Sequence, residues 1–253
     1  MMKRETKMEK ELESRLRYLR LTELLSTWDE VIAQAKSKSP SYTVFLKQII
    51  EKECATKKER ARQQRLSRAK YEEMYLFETY PFEHQPGISK KKVQEMFDSK
   101  THLTKKQNVI FIGPTGVGKT GLATALLIDA INTGLTGRFI TFPDLLSELY
   151  RSAADHSEKK VLAKFIDYDC LVIDELGYID IDPSQAGLFF TLMKRRHKKS
   201  TTIITTQLGF KEWTGFMKNP HMTSALVDRL MENSQLLNLS KCISLRQPTP
   251  KPE

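Results

Sequence analysis

Apolar positions follow two regimes along the chain, and they meet near residue 80. From residue 9 to 36, Leu21, Leu24, Leu25, Trp28, Ile32 and Ala35 recur at helical spacing, which predicts one helix. Ser-Lys-Ser-Pro-Ser at 37–41 interrupts it. A second helix is predicted from Tyr42, with Phe45, Leu46, Ile49 and Ile50 on its apolar face. No breaker follows before Lys70, so this helix would reach about 43 Å at 1.5 Å per residue. Tyr-Pro-Phe-Glu-His-Gln-Pro-Gly at 80–87 ends the helical regime. Short apolar runs then recur at 108–113, 138–142, 169–174, 201–206 and 235–239. Helical patterns separate or follow them at 119–132, 143–152, 158–167, 184–198 and 222–232. Strands that alternate with helices predict an α/β fold whose parallel five-stranded sheet is covered on both faces. The expected organisation is a small all-helical N-terminal domain (1–78), an α/β domain (79–246) and a disordered tail (247–253).

Charge adds a class of partner. The formal net charge is +10, which favours a polyanion such as nucleic acid. Two basic runs stand out. Lys57, Lys58, Arg60, Arg62, Arg65, Arg68 and Lys70 lie on the long predicted helix, with Glu59 the only acid among them. Lys194, Arg195, Arg196, Lys198 and Lys199 lie between the third and fourth predicted strands. Neither run has interleaved aromatic residues, so phosphate contact without base readout is the expected mode. Cys54, Cys170 and Cys242 are far apart and the five histidines are scattered, so neither a disulfide framework nor a zinc site is expected. The N-terminus has no apolar signal region and no run is of membrane-spanning length; the expectation is a cytoplasmic protein with no membrane partner.

The chemistry begins at Gly-Pro-Thr-Gly-Val-Gly-Lys-Thr, 113–120, which fits G-x-x-x-x-G-K-[ST] at every required position. It lies between a predicted strand and a predicted helix, the context this motif needs. The backbone of Gly113, Pro114, Thr115, Gly116, Val117, Gly118 and Gly121, at the start of the helix, is expected to cradle the phosphates of ATP. Lys119 would neutralise the β- and γ-phosphates, and Thr120 would offer its hydroxyl to Mg²⁺. Downstream, Leu-Val-Ile-Asp-Glu-Leu-Gly-Tyr at 171–178 ends a buried strand in two adjacent carboxylates. Neighbouring side chains on a strand face opposite ways, so the two acids have different tasks. Asp174 is expected to reach the magnesium ion, and Glu175 to prepare the attacking water.

These motifs, with Ser-Thr-Thr-Ile-Ile-Thr-Thr-Gln-Leu-Gly-Phe-Lys-Glu-Trp at 200–213 and Ala-Leu-Val-Asp-Arg-Leu at 225–230, resemble those of the IstB family. The family comprises ATP-binding helpers of insertion sequences, related to DnaC helicase loaders within the AAA+ ATPases. The resemblance covers nearly the whole chain, including Phe45 to Ala69 and the Tyr80–Ile88 linker, whose family counterpart lies near the adenine. It implies an AAA+ sheet with the sensor strand between the two nucleotide-site strands. Most AAA+ proteins carry a helical lid after the fifth strand, and the few residues that follow it here lead to the expectation of no C-terminal lid. The resemblance further implies an ATPase stimulated by duplex DNA, ATP-dependent assembly into a head-to-tail ring or spiral, and stimulation of a transposase of the same insertion sequence. By position, Gln207 or Thr206 would be sensor 1, Arg229 the arginine finger and Arg246 a sensor-2 residue. Gln207 stands where the family usually has Asn, and Leu245 stands where it has Tyr. The alternatives are a DnaC-type helicase loader, a P-loop small-molecule kinase and a non-hydrolysing ATP-gated scaffold on DNA.

Overall fold

The computed structural model describes residues 8–154 and 156–246. Its helices are α1 (Lys10–Tyr18), α2 (Thr22–Ser26), α3 (Trp28–Lys38), α4 (Tyr42–Ala69), α5 (Lys90–Ser99), α6 (Thr101–Thr104), α7 (Lys119–Asn132), α8 (Phe142–Ala154), α9 (Glu158–Ile166), α10 (Pro183–Arg196), α11 (Trp213–Met217) and α12 (Pro220–Glu232). The strands are β1 (Asn108–Ile112), β2 (Gly137–Thr141), β3 (Cys170–Leu176), β4 (Thr201–Thr206) and β5 (Ser234–Asn238). Each of the five predicted strands is present within a few residues, and α4 runs unbroken as its pattern requires. No helix among the described residues is long and apolar enough to cross a membrane.

The chain forms two compact units that divide at Gln64/Arg65, inside α4. In the first, the single helix expected over 9–36 is replaced by α1, α2 and α3. Arg20 adopts a left-handed conformation (φ 54°) after α1. The buried carboxylate of Glu53, on α4, then accepts the backbone N–H groups of Thr22, Glu23 and Leu24 at 3.0, 3.0 and 3.1 Å. These are orphan donors of a helix start, and an anion there also faces the positive end of the helix dipole. The periodicity survives such a break because each piece keeps its own apolar face.

In the second unit all described strand pairs are parallel, in the order β2-β3-β4-β1-β5. The strand before the phosphate loop (β1) and the strand with the acid pair (β3) thus flank β4, as the family resemblance implies. Strand residues alternate between two cores. Val109, Phe111, Val172 and Ile203 pack with α7. Ile110, Leu171, Ile173 and Ile204 pack with α8, α10 and α12. Burial on both faces explains the continuous apolar runs of β1 and of β3 before Asp174. Leu66, Ala69, Phe77 and Phe82 join the α7-side core. The end of α4 and the segment after it are therefore packed with the sheet, and the division between units falls earlier than residue 78. The hydrophobic pattern does not predict α5, α6 and α11; α6 and α11 have four and five residues, too few to show a helical period.

Candidate nucleotide site

The site lies at the C-terminal ends of β1, β3 and β4. After β1 the chain curls through Gly116 and Gly118, both at φ 85°, and enters α7. A Cβ on Gly118 would also sit 2.6 Å from the ring of Tyr80, so both backbone conformation and space require glycine there. Lys119 is 7% exposed, and its Nζ donates to the carbonyls of Gly113 and Pro114 at 2.8 Å each. Burial lowers its pKa, opposed by the nearby Asp174 carboxylate. The ammonium is thus held inside the loop, next to N–H groups at a helix N-terminus that suit an anion.

Asp174 and Glu175 diverge at the end of β3. Asp174 is 4% exposed, whereas Glu175 is exposed. Thr120 Oγ1 donates to Asp174 at 3.2 Å (Oδ1) and 3.0 Å (Oδ2), and Thr205 Oγ1 donates to Oδ1. Glu175 stands at φ 60°, where the β3–β4 register shifts, and its N–H donates to Thr205 Oγ1 at 3.0 Å. A non-glycine residue in the left-handed region is strained. Here the strain turns the second carboxylate out of the sheet and towards the cavity. Burial raises the Asp174 pKa, against hydrogen bonds from Thr205 and Thr120 that favour the carboxylate. Burial and the charge of Asp174 raise that of Glu175.

The cavity before these groups measures about 420 Å³. Gly116, Gly118 to Leu122, Glu175, Thr205 and Arg246 line one part of it, and Tyr75, Leu76, Tyr80 and Pro81 another. Tyr80 is fixed by its hydroxyl, which donates to the Val117 carbonyl at 2.8 Å. The polar part suits a polyphosphate, and the aromatic and apolar part a base or ribose. Thr120 and Asp174 bring a hydroxyl and a carboxylate into contact, the hard oxygen donors that Mg²⁺ takes beside nucleotide phosphates.

Residues 14–249 match the family model described as IstB-like ATP binding protein. This chain belongs to that family. It is 30% identical to the ATP-binding protein named for insertion sequence IS5376 of Geobacillus stearothermophilus, over 87% of this chain and 88% of the relative. It is 31% identical to the one named for IS21 of Pseudomonas aeruginosa, over 90% and 86%. Among solved structures, the DnaC helicase loader superposes with a TM-score of 0.55 at 23% identity, covering 65% of this chain and 96% of that one. AMPPCP-bound DnaA from Aquifex aeolicus superposes at 0.51 and 15%, covering 66% and 49%. At such identities the likeness is one of fold: the AAA+ P-loop domain.

Within this IstB-like fold the residues predicted from sequence separate. Lys119, Thr120, Glu175 and Arg246 line one cavity, and Asp174 is bonded to Thr120. Gln207 is exposed, and its Oε1 accepts from Thr115 Oγ1 at 3.5 Å. Thr206 is not placed to act on water: it is fully buried, donates to the Leu176 carbonyl at 2.8 Å and accepts the Leu208 N–H. Thr205, a residue to which no sequence motif gave a role, lines the cavity and binds Asp174 and the Glu175 backbone at once. A fully buried strand with four threonines was the available signal. Arg229 lies on α12, bonded to its own Ala225 carbonyl and 5.1 Å over the Phe190 ring, and is not among the cavity residues.

The basic runs separate too. Arg196 was expected on DNA but is 1% exposed. It donates to the carbonyls of Phe165, Ile166, Tyr168 and Thr201 and to Thr202 Oγ1, so it is a structural residue of the IstB-like core. Lys198 and His197 pair with Glu232, whereas Lys194, Arg195 and Lys199 are exposed. On α4, Lys57 lies 3.9 Å from Glu53, Arg62 pairs with Glu59, and Arg60 donates to Thr22; Lys58 is exposed.

Proposed function

We propose that this protein is a Mg²⁺-dependent ATPase that assembles with ATP on duplex DNA and stimulates or targets the transposase of its own insertion sequence. Hydrolysis would then limit the lifetime of the assembly. The observation that carries the catalytic part is the divergence of the acid pair. Asp174 is buried against Thr120, and the adjacent Glu175 is exposed at the cavity. Thr120 and Asp174 would hold Mg²⁺, which supplies charge neutralisation at the β- and γ-phosphates. Lys119 binds the same oxygens. Glu175, with its basicity raised, accepts the proton of a water aligned on the γ-phosphate. Thr205 fixes both acids through one hydroxyl.

The partners rest on the family and on charge. Relatives named for insertion sequences support the transposase, and the +10 charge supports DNA. Arg229, which does not line its own chain's cavity, suits a finger supplied to a neighbour, which requires head-to-tail contacts that close into a ring or run on as a spiral. A cytoplasmic setting goes with this reading.

The test is ATP hydrolysis with and without duplex DNA, for wild type and Glu175→Gln. The reading expects stimulation by DNA in the wild type and loss of turnover in the variant, with ATP-dependent assembly on DNA kept or strengthened. Normal turnover by Glu175→Gln would remove the role given to that residue. A ring helicase captured in place of a transposase would favour the helicase-loader alternative.

A further inference from the structure

A second cavity, of about 360 Å³, lies beside edge strand β2 and is lined by Arg65, Arg68, Lys70, Arg138, Lys164 and Tyr168, among others. It is at the other end of the strands from the phosphate loop: Arg138 pairs with Leu171, near the start of β3, whereas Thr141 pairs with Asp174. Arg138 is 7% exposed, and its buried Nε has no hydrogen-bond acceptor; neither has the buried Nε of Arg65. The nearby acids are few. Glu148 is shared between Lys164 at 2.8 Å and Arg138 at 3.8 Å. Asp169 accepts the N–H and hydroxyl of Thr136 at 2.9 and 2.8 Å. Arg65, Arg68 and Lys70 have no ion pair among the described residues. Cations near a helix C-terminus complement its dipole, which accounts for Arg68 and Lys70 at the end of α4. It does not account for a guanidinium more than nine-tenths buried with an unmet donor, which is costly until an acceptor reaches it.

We propose that this cavity receives a backbone phosphate of duplex DNA. The inference rests on the DNA-binding reading above and adds a place for the contact. Guanidinium groups offer forked donors that match phosphate oxygens. The charge gathered here, five cations around one shared carboxylate, exceeds what a small monoanion needs and suits a chain of phosphates. Phosphate contact without base-edge contact also leaves the target sequence unread. Arg196 supports the site from behind, since its bonds to the Phe165 and Tyr168 carbonyls fix the wall that carries Tyr168.

The test is fluorescence anisotropy of a labelled duplex on the full-length protein across a KCl series. For Arg65→Gln/Arg68→Gln the affinity should fall, and the slope of log K against log salt should shrink by about one. Basal ATP hydrolysis without DNA should not change. Lys90→Gln/Lys91→Gln, on α5 beside the opposite edge strand β5, should keep the wild-type slope. Arg138→Gln should match the pocket variant; if circular dichroism shows it unfolded, the double variant decides. An unchanged slope in the double variant, or an equal loss in the α5 variant, overturns the proposal. So does inorganic phosphate binding (by ³¹P NMR) that is lost in the double variant while the DNA slope is kept. A wild type that binds no duplex defeats the DNA reading itself, and this proposal with it.

Discussion

Lys119 and Arg196 are both buried cations, one at each end of the same sheet. Lys119 follows β1 and lines a cavity, held by two carbonyls of its own loop. Arg196 precedes β4 and directs its hydrogen bonds to carbonyls at the end of α9 and in the α9–β3 connection and to the first two residues of β4. Burial lowers the pKa of both, that of Arg196 to about 10. The difference lies in what surrounds the donors. A cation beside open space can exchange loop carbonyls for an incoming phosphate. A cation enclosed by fixed carbonyls can only hold them together. Burial and charge alone do not separate a binding residue from a structural one.

The largest expected effect sharpens the functional side. Glu175→Gln should lower ATP turnover by about 10³-fold while nucleotide affinity stays within a few-fold, measured by steady-state hydrolysis and by titration with labelled ATP. Arg196→Gln tests the structural side. It leaves several buried carbonyls without a donor and should cost roughly 3 kcal/mol or more in urea unfolding. The exposed Lys194→Gln, two residues away, should stay within about 0.5 kcal/mol. Equal effects of these two changes would break the contrast.

His102 extends it with pH. The residue is fully buried, neither ring nitrogen has a hydrogen-bond partner, and burial pushes its pKa down to about 4. The unfolded chain takes up its proton near pH 6.5, before the folded one does. Stability from this residue is therefore complete above that pH and falls as the pH drops towards 4, by at most roughly 3 kcal/mol. Urea midpoints across this range should show the loss, and His102→Leu should flatten it. The smallest effect separates neighbouring threonines. Thr205→Val and Thr206→Val should each cost about 1–2 kcal/mol of stability. Thr205→Val alone should also slow turnover, by about tenfold, because it releases Asp174 and the Glu175 backbone.

Much of this could be read from the sequence. The phosphate loop, Asp174 and Glu175 are contiguous motifs whose spacing specifies backbone geometry, so their positions followed from local rules. The five strands followed from short apolar runs between helical patterns. The break at Arg20 did not, because it depends on a carboxylate from α4. The fate of the Lys194–Lys199 run did not either. A run of like charge carries no periodic signal for the one member that turns inward.

The sequence by itself determined the α/β alternation, the phosphate loop and the presence of two acids with different tasks. These depend on residues within a few positions of one another. The tertiary structure alone decided that Thr205, thirty residues beyond Glu175, joins both acids, and that Tyr80 closes over Gly118. It also decided that Arg196 is enclosed and that Arg65 and Arg138 share a cavity. Each of these depends on which distant side chain packing brings within hydrogen-bond reach, and hydrophobic periodicity does not encode that choice.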